Sequence, residues 1–434
     1  MGQAEFSDAI ADFALTARPS AAALAMMRLS LMDWAACGIA GRDEPVAGML
    51  RGLATEDGGT PEASVIGGPV RLPARAAAWV NGATSHALDY DDTHFAHIGH
   101  PSVAVIPAAL AVAQGTGATG AALLEAALLG AEASIRIGVW LGRDHYQAGF
   151  HQTATAGAFG ATVAAARLLG CDASQMRHAL GLVSTRASGL KSQFGTMGKP
   201  LNAGIAAANG VEAALLAARG FVSNPSALDG EQGFGPTHHG MADAAALNDL
   251  GRAWMFETVS HKFHACCHGT HAAIEALRAL DLSPEDVAAV TIVTHPRWLR
   301  VCNIAAPRTG LEAKFSYRLT AAMALAGWDT GALSSFSQAA CVDPALVALR
   351  DKVDVQTDAE MPETAARVVV TRGDGGTRRG AHDLDAPMTL ERRAEKLRAK
   401  AESLLGAPGA AALWAVTAAG EGPDLPGLAA ALEG

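Results

Sequence analysis

Lysine is scarce in this sequence, and several of its few copies lie in segments able to carry out chemistry. Lysine and arginine together number 33, and only seven are lysine: Lys191, Lys199, Lys262, Lys314, Lys352, Lys396 and Lys400. A general preference for arginine explains the scarcity, but not why four of the seven occur in glycine-, histidine- or serine-rich segments. A buried lysine can lose its proton and act as a base, which arginine cannot do. These positions therefore predict acid–base chemistry, and the three tyrosines lie beside the same segments: Tyr90, Tyr146 and Tyr317.

The first such segment, residues 81–102, reads NGATSHALDYDDTHFAHIGHPS and interleaves carboxylates with imidazoles. Its candidate groups are Asp89, Asp91, Asp92, Thr93, His86, His94, His97 and His100. Side chains of these types, when they lie close together, bind a metal ion or transfer protons. The alternative interpretation is a solvated loop that ends in a helix cap at Ser102.

Two further segments each precede a helix made of small residues. His151 lies in DHYQAGFHQTATAG, near the start of such a helix, where free backbone N–H groups favour anions. A histidine that only caps the helix or packs against it is the alternative. Lys199 lies in the glycine-flanked segment GLKSQFGTMGKPLNAG, which resembles a weak anion-binding loop. The G-x-x-x-x-G-K-[ST] pattern of a phosphate-binding loop is absent.

Two later segments carry the remaining candidates. Residues 260–271, SHKFHACCHGTH, combine Lys262 with four histidines, but the spacing matches no structural zinc motif. Core packing explains Cys266 and Cys267 at least as well as catalysis does. In PRTGLEAKFSYRL, Arg308 and Lys314 could bind a carboxylate, or Lys314 could simply begin a helix.

The elements that must position these groups change in character along the chain. Up to about residue 250 the apolar spacing is helical, as in residues 21–39, 120–141, 154–169 and 204–218. Residues 287–294, 353–357 and 366–371 are rich in β-branched side chains and predict strands, with a hairpin partner at 378–384. Helices are expected among them at 270–280 and 314–326, and a charged helix capped by Thr389 follows. We therefore predict a helical domain, 1–255 with 388–434, and an inserted α+β domain, 256–387.

Bulk properties limit the function classes. A chain of 434 residues fits two domains, and its formal net charge of −10 argues against a nucleic-acid partner. The acidic start lacks the features of a signal peptide, and no run of about 18 apolar residues predicts a membrane span. The six cysteines show neither disulfide nor zinc spacing, so a cytoplasmic location is the expectation.

Five segments in this order resemble the MmgE/PrpD family over nearly the whole chain. They are HALDYDDTH…HPS, GFHQTATAGAFGA, FGTMGKPLNAG, KFHACCHGTHAAI and GLEAKFS. The resemblance implies a mainly α fold, in which a large all-helical domain formed by N- and C-terminal segments carries an inserted smaller α+β lid domain. It also implies an active site between the domains and a homodimer.

The resemblance further implies an enzyme that works beside a carboxylate without a metal or organic cofactor. Known activities in the family are those of 2-methylcitrate dehydratase, cis-aconitate decarboxylase and iminodisuccinate epimerase. Carried over by position, the motifs implicate as catalytic residues Lys199, Lys262, His151, His100 and Asp89. The candidates for substrate binding are Thr93, His268 and Tyr146.

The prediction is a cofactor-independent lyase that removes a proton next to a carboxylate of a small di- or tricarboxylic acid, as in 2-methylcitrate dehydratase. An epimerase of a dicarboxylate such as iminodisuccinate shares that first step and is the main alternative. A metal-dependent enzyme that uses the histidine clusters is the second alternative. A Ser/His/Asp hydrolase is disfavoured because the sequence has no G-x-S-x-G motif.

Overall fold

The computed structural model describes residues 5–418 and 420–434, and this part of the chain is mainly helical. The protein is 59% helical with 17 helices and small sheets, which confirms the predicted mainly α class. Its contacts group it into two compact units, one of residues up to His261 with Leu405–Gly434 and one of Lys262–Leu404. The predicted domains were 1–255 with 388–434, and 256–387, so the boundaries of the two units differ from the predicted ones. The arrangement of the second domain as a lid remains a prediction.

The first unit begins with ten α-helices and the loops that join them. These helices are α1 (Glu5–Thr16), α2 (Ala21–Gly41), α3 (Pro45–Asp57), α4 (Ala74–His86), α5 (Ser102–Thr116), α6 (Gly120–Ala148), α7 (Gln152–Leu168), α8 (Ala173–Ser184), α9 (Gly198–Ala218) and α10 (Phe234–Thr237). Helix α9 packs extensively on α4 and α7, and α6 packs on α7. Small residues make these approaches possible, because a helix lined with alanine and glycine lets a neighbouring backbone come close.

Two of these helices, α2 and α9, are long and apolar enough to cross a membrane by length and composition. We expected no run of about 18 apolar residues, yet these two helices meet the length and hydropathy criteria with a few polar residues included. However, 72% of the apolar window of α2 and 67% of that of α9 is buried inside the protein. Core helices pass the same test, so the two helices are weak evidence for a membrane span.

The first unit is not all-helical, which corrects the prediction. Strands β1 (Ala63–Val65) and β2 (Gly68–Leu72) pair antiparallel. Gly67 stands in the turn with φ 85°, a conformation that glycine adopts without steric cost. Only helices were predicted in this part of the chain, because strands of three and five residues give almost no periodic signal.

The second unit combines a four-stranded sheet with short helices. The strands are β3 (Val287–Thr294), β4 (Val353–Thr357), β5 (Ala365–Arg372) and β6 (Thr377–Asp383), in the order β4-β3-β5-β6. Strand β3 runs parallel to β4 and antiparallel to β5, and β5 and β6 form the predicted hairpin. The helices of this unit are α11 (His271–Arg278), α12 (Gly310–Ala313), α13 (Tyr317–Leu325), α14 (Gln338–Val342) and α15 (Pro344–Arg350).

The predicted helix at 314–326 forms only as α13, and Lys314 lies in a short break between α12 and α13. Ser316 caps α13 by accepting a hydrogen bond from the backbone N–H of Leu319 at 3.2 Å. The C-terminal helices are α16 (Leu390–Ala418), which has a break in its helical geometry at Gly406, and α17 (Leu425–Glu433). The predicted cap of α16 is confirmed, since the Thr389 hydroxyl accepts from the N–H of Arg392 at 3.2 Å.

Candidate active site

Three helix ends in the first unit bring ionisable side chains together. His86 is the last residue of α4, His151 precedes the first residue of α7, and Lys199 is the second residue of α9. The loop between α4 and α5 adds three further groups. We call this set the His/Asp/Lys cluster, and its members are His86, Asp89, Asp91, His100, His151 and Lys199.

Carboxylates alternate with imidazole rings and an ammonium group through the cluster. The Nδ1 atom of His86 lies 2.8 Å from one oxygen of Asp91, and His100 Nδ1 lies 2.9 Å from the other. The second of these is an ion-pair distance whose angles are poor for a hydrogen bond. His100 Nε2 lies 3.3 Å from Asp89 Oδ1, which also receives Lys199 Nζ at 2.6 Å. These four contacts link His86, Asp91, His100, Asp89 and Lys199 in one continuous row of ionisable groups.

Asp89 reaches this position through an unusual backbone conformation. Its φ is 52°, in the left-handed region that aspartate tolerates better than most residues. Its N–H donates to the carbonyl of His86 at 3.1 Å, so the chain turns sharply just after α4. The turn directs the carboxylate toward both Lys199 and His100.

Asp91 is a buried carboxylate held in its charged form. Burial alone would raise its pKa, but His100 and His86 face it and hold the pKa well below the usual value. Only 1% of its side chain is exposed. Asp91 therefore supplies a fixed negative charge that orients two imidazole rings.

His151 lies in the cluster as a buried ring. Burial lowers its pKa well below the usual value, and the neighbouring His86, Lys199 and His100 lower it further, while Asp89 opposes them. Its ring stacks at 6.1 Å from that of His86. At neutral pH His151 is an uncharged imidazole, able to accept a proton or to donate a hydrogen bond.

In the loop from residue 87 to residue 101 every residue except Ala96 is buried or half-buried, which contradicts the solvated-loop alternative. Ser102 does not cap α5, since it is the first residue of that helix and its hydroxyl donates to Asp92 at 2.5 Å. His94 and His97 lie in the core, where burial lowers their pKa values to about 4 and about 3. Of the four histidines in this segment, only His86 and His100 belong to the cluster.

Two predicted binding residues in the first unit have other contacts. Thr93 forms a β-bridge with Ser260, with backbone hydrogen bonds of 2.9 and 2.8 Å. Tyr146 contacts Lys191, whose Nζ lies 3.7 Å from the centre of the tyrosine ring and 2.9 Å from the Tyr146 carbonyl. Their predicted roles in substrate binding remain predictions.

Lys262 and His268 lie in the second unit, and both are buried. The ring of His268 is 4.6 Å from that of His271, and Lys262 is close enough to lower the pKa of His271. Burial has the largest effect on the pKa of His271 and also lowers it. The prediction that Lys262 and His268 act together with Lys199 remains a prediction.

His264 and His261, the other two histidines of residues 260–271, contact different polar side chains. His264 lies 2.7 Å from the Thr330 hydroxyl and 3.3 Å from Glu275, and His261 lies 3.0 Å from the Ser30 hydroxyl. In the described ranges, this segment forms no group of three or more donor atoms close enough to hold one metal ion. Burial also raises the pKa of Cys266 to about 12, as expected of a packed thiol.

One group of donors is close enough to hold a metal ion: His86, Asp89, Asp91 and His100 offer one atom each, all within 4.8 Å of one another. The chemistry of the set fits protons better than a metal. The Lys199 ammonium lies 2.6 Å from Asp89, so a bound dication would stand next to a positive charge. The donor atoms also already face one another in ion pairs.

Two residues that shape the site, Asp91 and Asn202, were not among the predicted site residues. Asp91 was named within its segment but not as a site residue, although it lies between two histidines that the same segment supplies. Asn202 was not considered at all, yet its amide nitrogen is 3.2 Å from Nδ1 of His151. Its only signal is the spacing of three residues from Lys199, which places both side chains on one face of α9.

The ends of three helices thus bring together side chains whose types can donate and accept protons. Comparison with known proteins identifies the family of the chain: models of the MmgE/PrpD N-terminal and C-terminal domains match residues 4–247 and 264–419. The chain belongs to the MmgE/PrpD family.

Its curated relatives include three decarboxylase proteins. Human cis-aconitate decarboxylase is 28% identical over 77% of this chain and 74% of its own length. A cis-aconitate decarboxylase-like protein of Aspergillus oryzae is 32% identical over 62% of this chain and 60% of the relative. Cis-aconitate decarboxylase of Aspergillus terreus is 32% identical over 50% of this chain and 47% of the relative. Decarboxylases are lyases, so these similarities support a lyase-type reaction on a carboxylic acid, with a related isomerase also consistent.

Proposed function

We propose that this protein is a cofactor-independent lyase that transfers a proton at the carbon next to a carboxylate of a small di- or tricarboxylic acid. The observation that carries the proposal is a path of alternating carboxylates, imidazoles and an ammonium group from His86 to Lys199, in which each neighbouring pair lies within 3.3 Å. Such a path both donates and accepts protons and needs no bound cofactor. The absence of a cofactor is part of the proposal.

The ammonium of Lys199 provides the positive charge that a substrate carboxylate needs. Negative charge develops on that carboxylate as the neighbouring carbon loses its proton, and fixed cations and hydrogen-bond donors stabilise it. A second protonated group then completes the reaction by protonating either a leaving hydroxyl group or carbon. Acid and base roles can separate within one cluster, because the surroundings lower the pKa of His151 and of Asp91 by different means.

Two lyase reactions use this chemistry. Dehydration of a 2-methylcitrate-like hydroxy acid is the reaction expected from the sequence. Decarboxylation of a cis-aconitate-like acid is favoured by the names of the relatives, and there the C–C bond to a carboxylate breaks, carbon dioxide leaves, and a group of the cluster protonates the resulting carbanion. Epimerisation of a dicarboxylate such as iminodisuccinate would return a proton to the same carbon and needs no leaving group.

The experiment is proton NMR in D2O with the purified protein and methylcitrate, citrate, cis-aconitate and iminodisuccinate in turn. A new alkene signal from a hydroxy acid supports dehydration, and loss of carbon dioxide with a new methylene signal supports decarboxylation. Deuterium entering beside a carboxylate without any other product supports epimerisation. If no acid changes, the proposed substrate class is wrong.

The metal-dependent alternative is tested on the same preparation. We expect elemental analysis to find no stoichiometric transition metal, and we expect turnover to be unchanged after dialysis against EDTA. Activity that disappears with the chelator and returns with a divalent cation would assign His86, Asp89, Asp91 and His100 as ligands instead.

A further inference from the structure

We propose that Asn202 fixes His151 as a neutral imidazole with its hydrogen on Nε2, so that His151 donates a hydrogen bond to the substrate instead of removing its proton. Asn202 is then a positioning residue, and His151 stabilises negative charge. The role of His151 toward substrate rests on the proposed function above. The position of its hydrogen does not, because it follows from contacts inside the protein.

The orientation of the Asn202 amide is set by two neighbours. Its Nδ2 atom lies 3.3 Å from the carbonyl oxygen of Leu190 and 3.2 Å from Nδ1 of His151. A backbone carbonyl only accepts hydrogen bonds, so the amide group facing Leu190 must be the NH2. The reversed amide would place two oxygens against each other. Asn202 therefore donates to both partners.

A donor at this position decides the tautomer of His151. Nδ1 must present a lone pair to the Asn202 amide, and a neutral imidazole then carries its hydrogen on Nε2. The groups that face the ring are His86, His100, Lys199 and Asp89, and of these only Asp89 favours a charged imidazole. A proton added at Nδ1 would also meet the amide hydrogens.

The ring is held from several sides and is 2% exposed. The backbone N–H of His151 donates to the carbonyl of Gly189 at 2.9 Å, and Phe194 meets the imidazole edge-on with ring centres 4.9 Å apart. Lys199 Nζ lies 5.5 Å from the centre of the same phenyl ring, so Phe194 lies beside both groups. Rotation of the imidazole would break its contacts with Asn202 and Phe194.

The chemical consequence is a division of labour in the cluster. With Nδ1 engaged and Nε2 protonated, His151 has no free lone pair to take a proton from carbon. It offers a neutral hydrogen bond, which stabilises an oxyanion without first losing a proton. The base must then be another member of the His/Asp/Lys cluster, and His100 is the candidate in the first unit, since Lys199 supplies positive charge.

The first test observes the hydrogen directly. Protein labelled with 15N-histidine is titrated between pH 5 and 9, and the His151 signals are assigned by their loss in His151→Asn. We expect one protonated and one non-protonated ring nitrogen throughout, with Nδ1 as the non-protonated one. A hydrogen on Nδ1, or a ring that becomes doubly protonated near neutral pH, would overturn the proposal.

The second test changes the partner. In Asn202→Asp the carboxylate accepts a hydrogen bond, so we expect Nδ1 to become protonated. With an active substrate, kcat should fall by about 10- to 100-fold while KM changes less. The matched control is Asn209→Asp on the same helix, since Asn202 and Asn209 are both 7% exposed and Asn209 bonds to Arg186 instead. We expect the control to keep both the wild-type kcat and the His151 spectrum.

The outcomes separate this inference from the proposed function. If none of the acids reacts, the NMR titration still decides the tautomer. If the wild-type enzyme is active but Nδ1 of His151 is protonated, the lyase proposal stands and the proposed role of Asn202 is wrong. Wild-type kcat in Asn202→Asp, together with an altered tautomer, rejects the role of His151 as donor. If Asn202→Asp does not fold, the wild-type titration remains a complete test.

Discussion

Asp89 and an incoming substrate carboxylate would interact with the same two side chains, Lys199 and His100. The Asp89 carboxylate is 2.6 Å from Lys199 Nζ and 3.3 Å from His100 Nε2, and its side chain is 37% exposed. A substrate anion near Lys199 must therefore share or replace this contact. At the residue scale, the proposed function therefore implies that binding exchanges one ion pair for another, and that Asp89 neutralises Lys199 before the substrate arrives.

Lys199→Met tests the charge at this position. The substitution keeps a long side chain but removes the ammonium group that pairs with Asp89, so turnover should fall by roughly 10²-fold or more. The melting temperature should change little, because only one ion pair is lost and the Asp89 carboxylate left behind is 37% exposed and stays hydrated. The measurement is kcat with the best acid of the panel, together with a thermal melt followed by circular dichroism.

The matched control for this change is Lys352→Met. Lys352 is also one of the seven lysines, but its Nζ donates to the carbonyl of Val287 at 2.6 Å in the second unit. We expect its activity to match that of the wild type. Near-wild-type activity in Lys199→Met would remove Lys199 from the mechanism.

At the scale of elements, the cluster depends on how closely α4 approaches α9. A Cβ at Gly204 would lie 2.3 Å from the carbonyl oxygen of Trp79, and a Cβ at Gly82 would lie 3.0 Å from Cα of Gly204. Neither contact can relax by rotating a side chain, because the obstructing atoms are backbone. The two glycines therefore set the distance between the helix that carries His86 and the helix that carries Lys199.

Gly204→Ala should push α9 away from α4. Overpacking of this kind costs about 1–3 kcal/mol of unfolding free energy, and kcat should fall because Lys199 and Asn202 move with the helix. Urea denaturation and steady-state kinetics measure the two effects. Gly48→Ala in α3 is the control, since a Cβ there meets nothing within 4 Å and should stabilise by about 0.5–1 kcal/mol. Equal stability of the two variants would contradict this account of the helix packing.

Asp92 makes the contact between the cluster loop and the start of α5 sensitive to pH. Burial raises its pKa to about 7, opposed by the hydrogen bonds from Ser102 and Ser30. Because the folded pKa is above the unfolded one, the folded state binds the proton more tightly. The stability that the proton contributes is fully present at low pH and is lost as the pH rises through about 7.

Asp92→Asn removes this loss while keeping an acceptor for Ser102. The unfolding free energy of the variant, relative to wild type, should therefore rise between pH 5 and pH 8 by about 2 kcal/mol. Urea denaturation at several pH values gives this difference directly. Asp43→Asn on the exposed surface is the control and should give a flat difference. A flat difference for Asp92→Asn would show that its carboxyl group titrates normally.

At the scale of the whole molecule, the family resemblance predicts a homodimer. Large apolar side chains are exposed on α3, where Met49 is 63% and Leu53 is 49% accessible. Light scattering after gel filtration should give twice the chain mass of 44.3 kDa. A mass of one chain at micromolar concentration would reject the dimer.

Much of the fold follows from local pattern. The helical spacing of α2, α6, α7 and α9 and the β-branched runs of β3, β4 and β5 were enough to place these elements. The hairpin of β1 and β2 and the break between α12 and α13 were missed. Short elements bury few side chains in a periodic way, so they depend on neighbours that the local sequence does not reveal.

The sequence by itself determined the family, the mainly α class and the chemical types gathered in five segments, because these are properties of residues and their spacing. Only the tertiary structure decided which of them meet. Asn202 and His151 are 51 residues apart, and their contact exists because α7 and α9 pack together. The same packing places Lys199 beside Asp89, while burial directs His94 and His97 into the core. Contacts between distant segments are fixed by the packing of whole helices, and no local pattern encodes them.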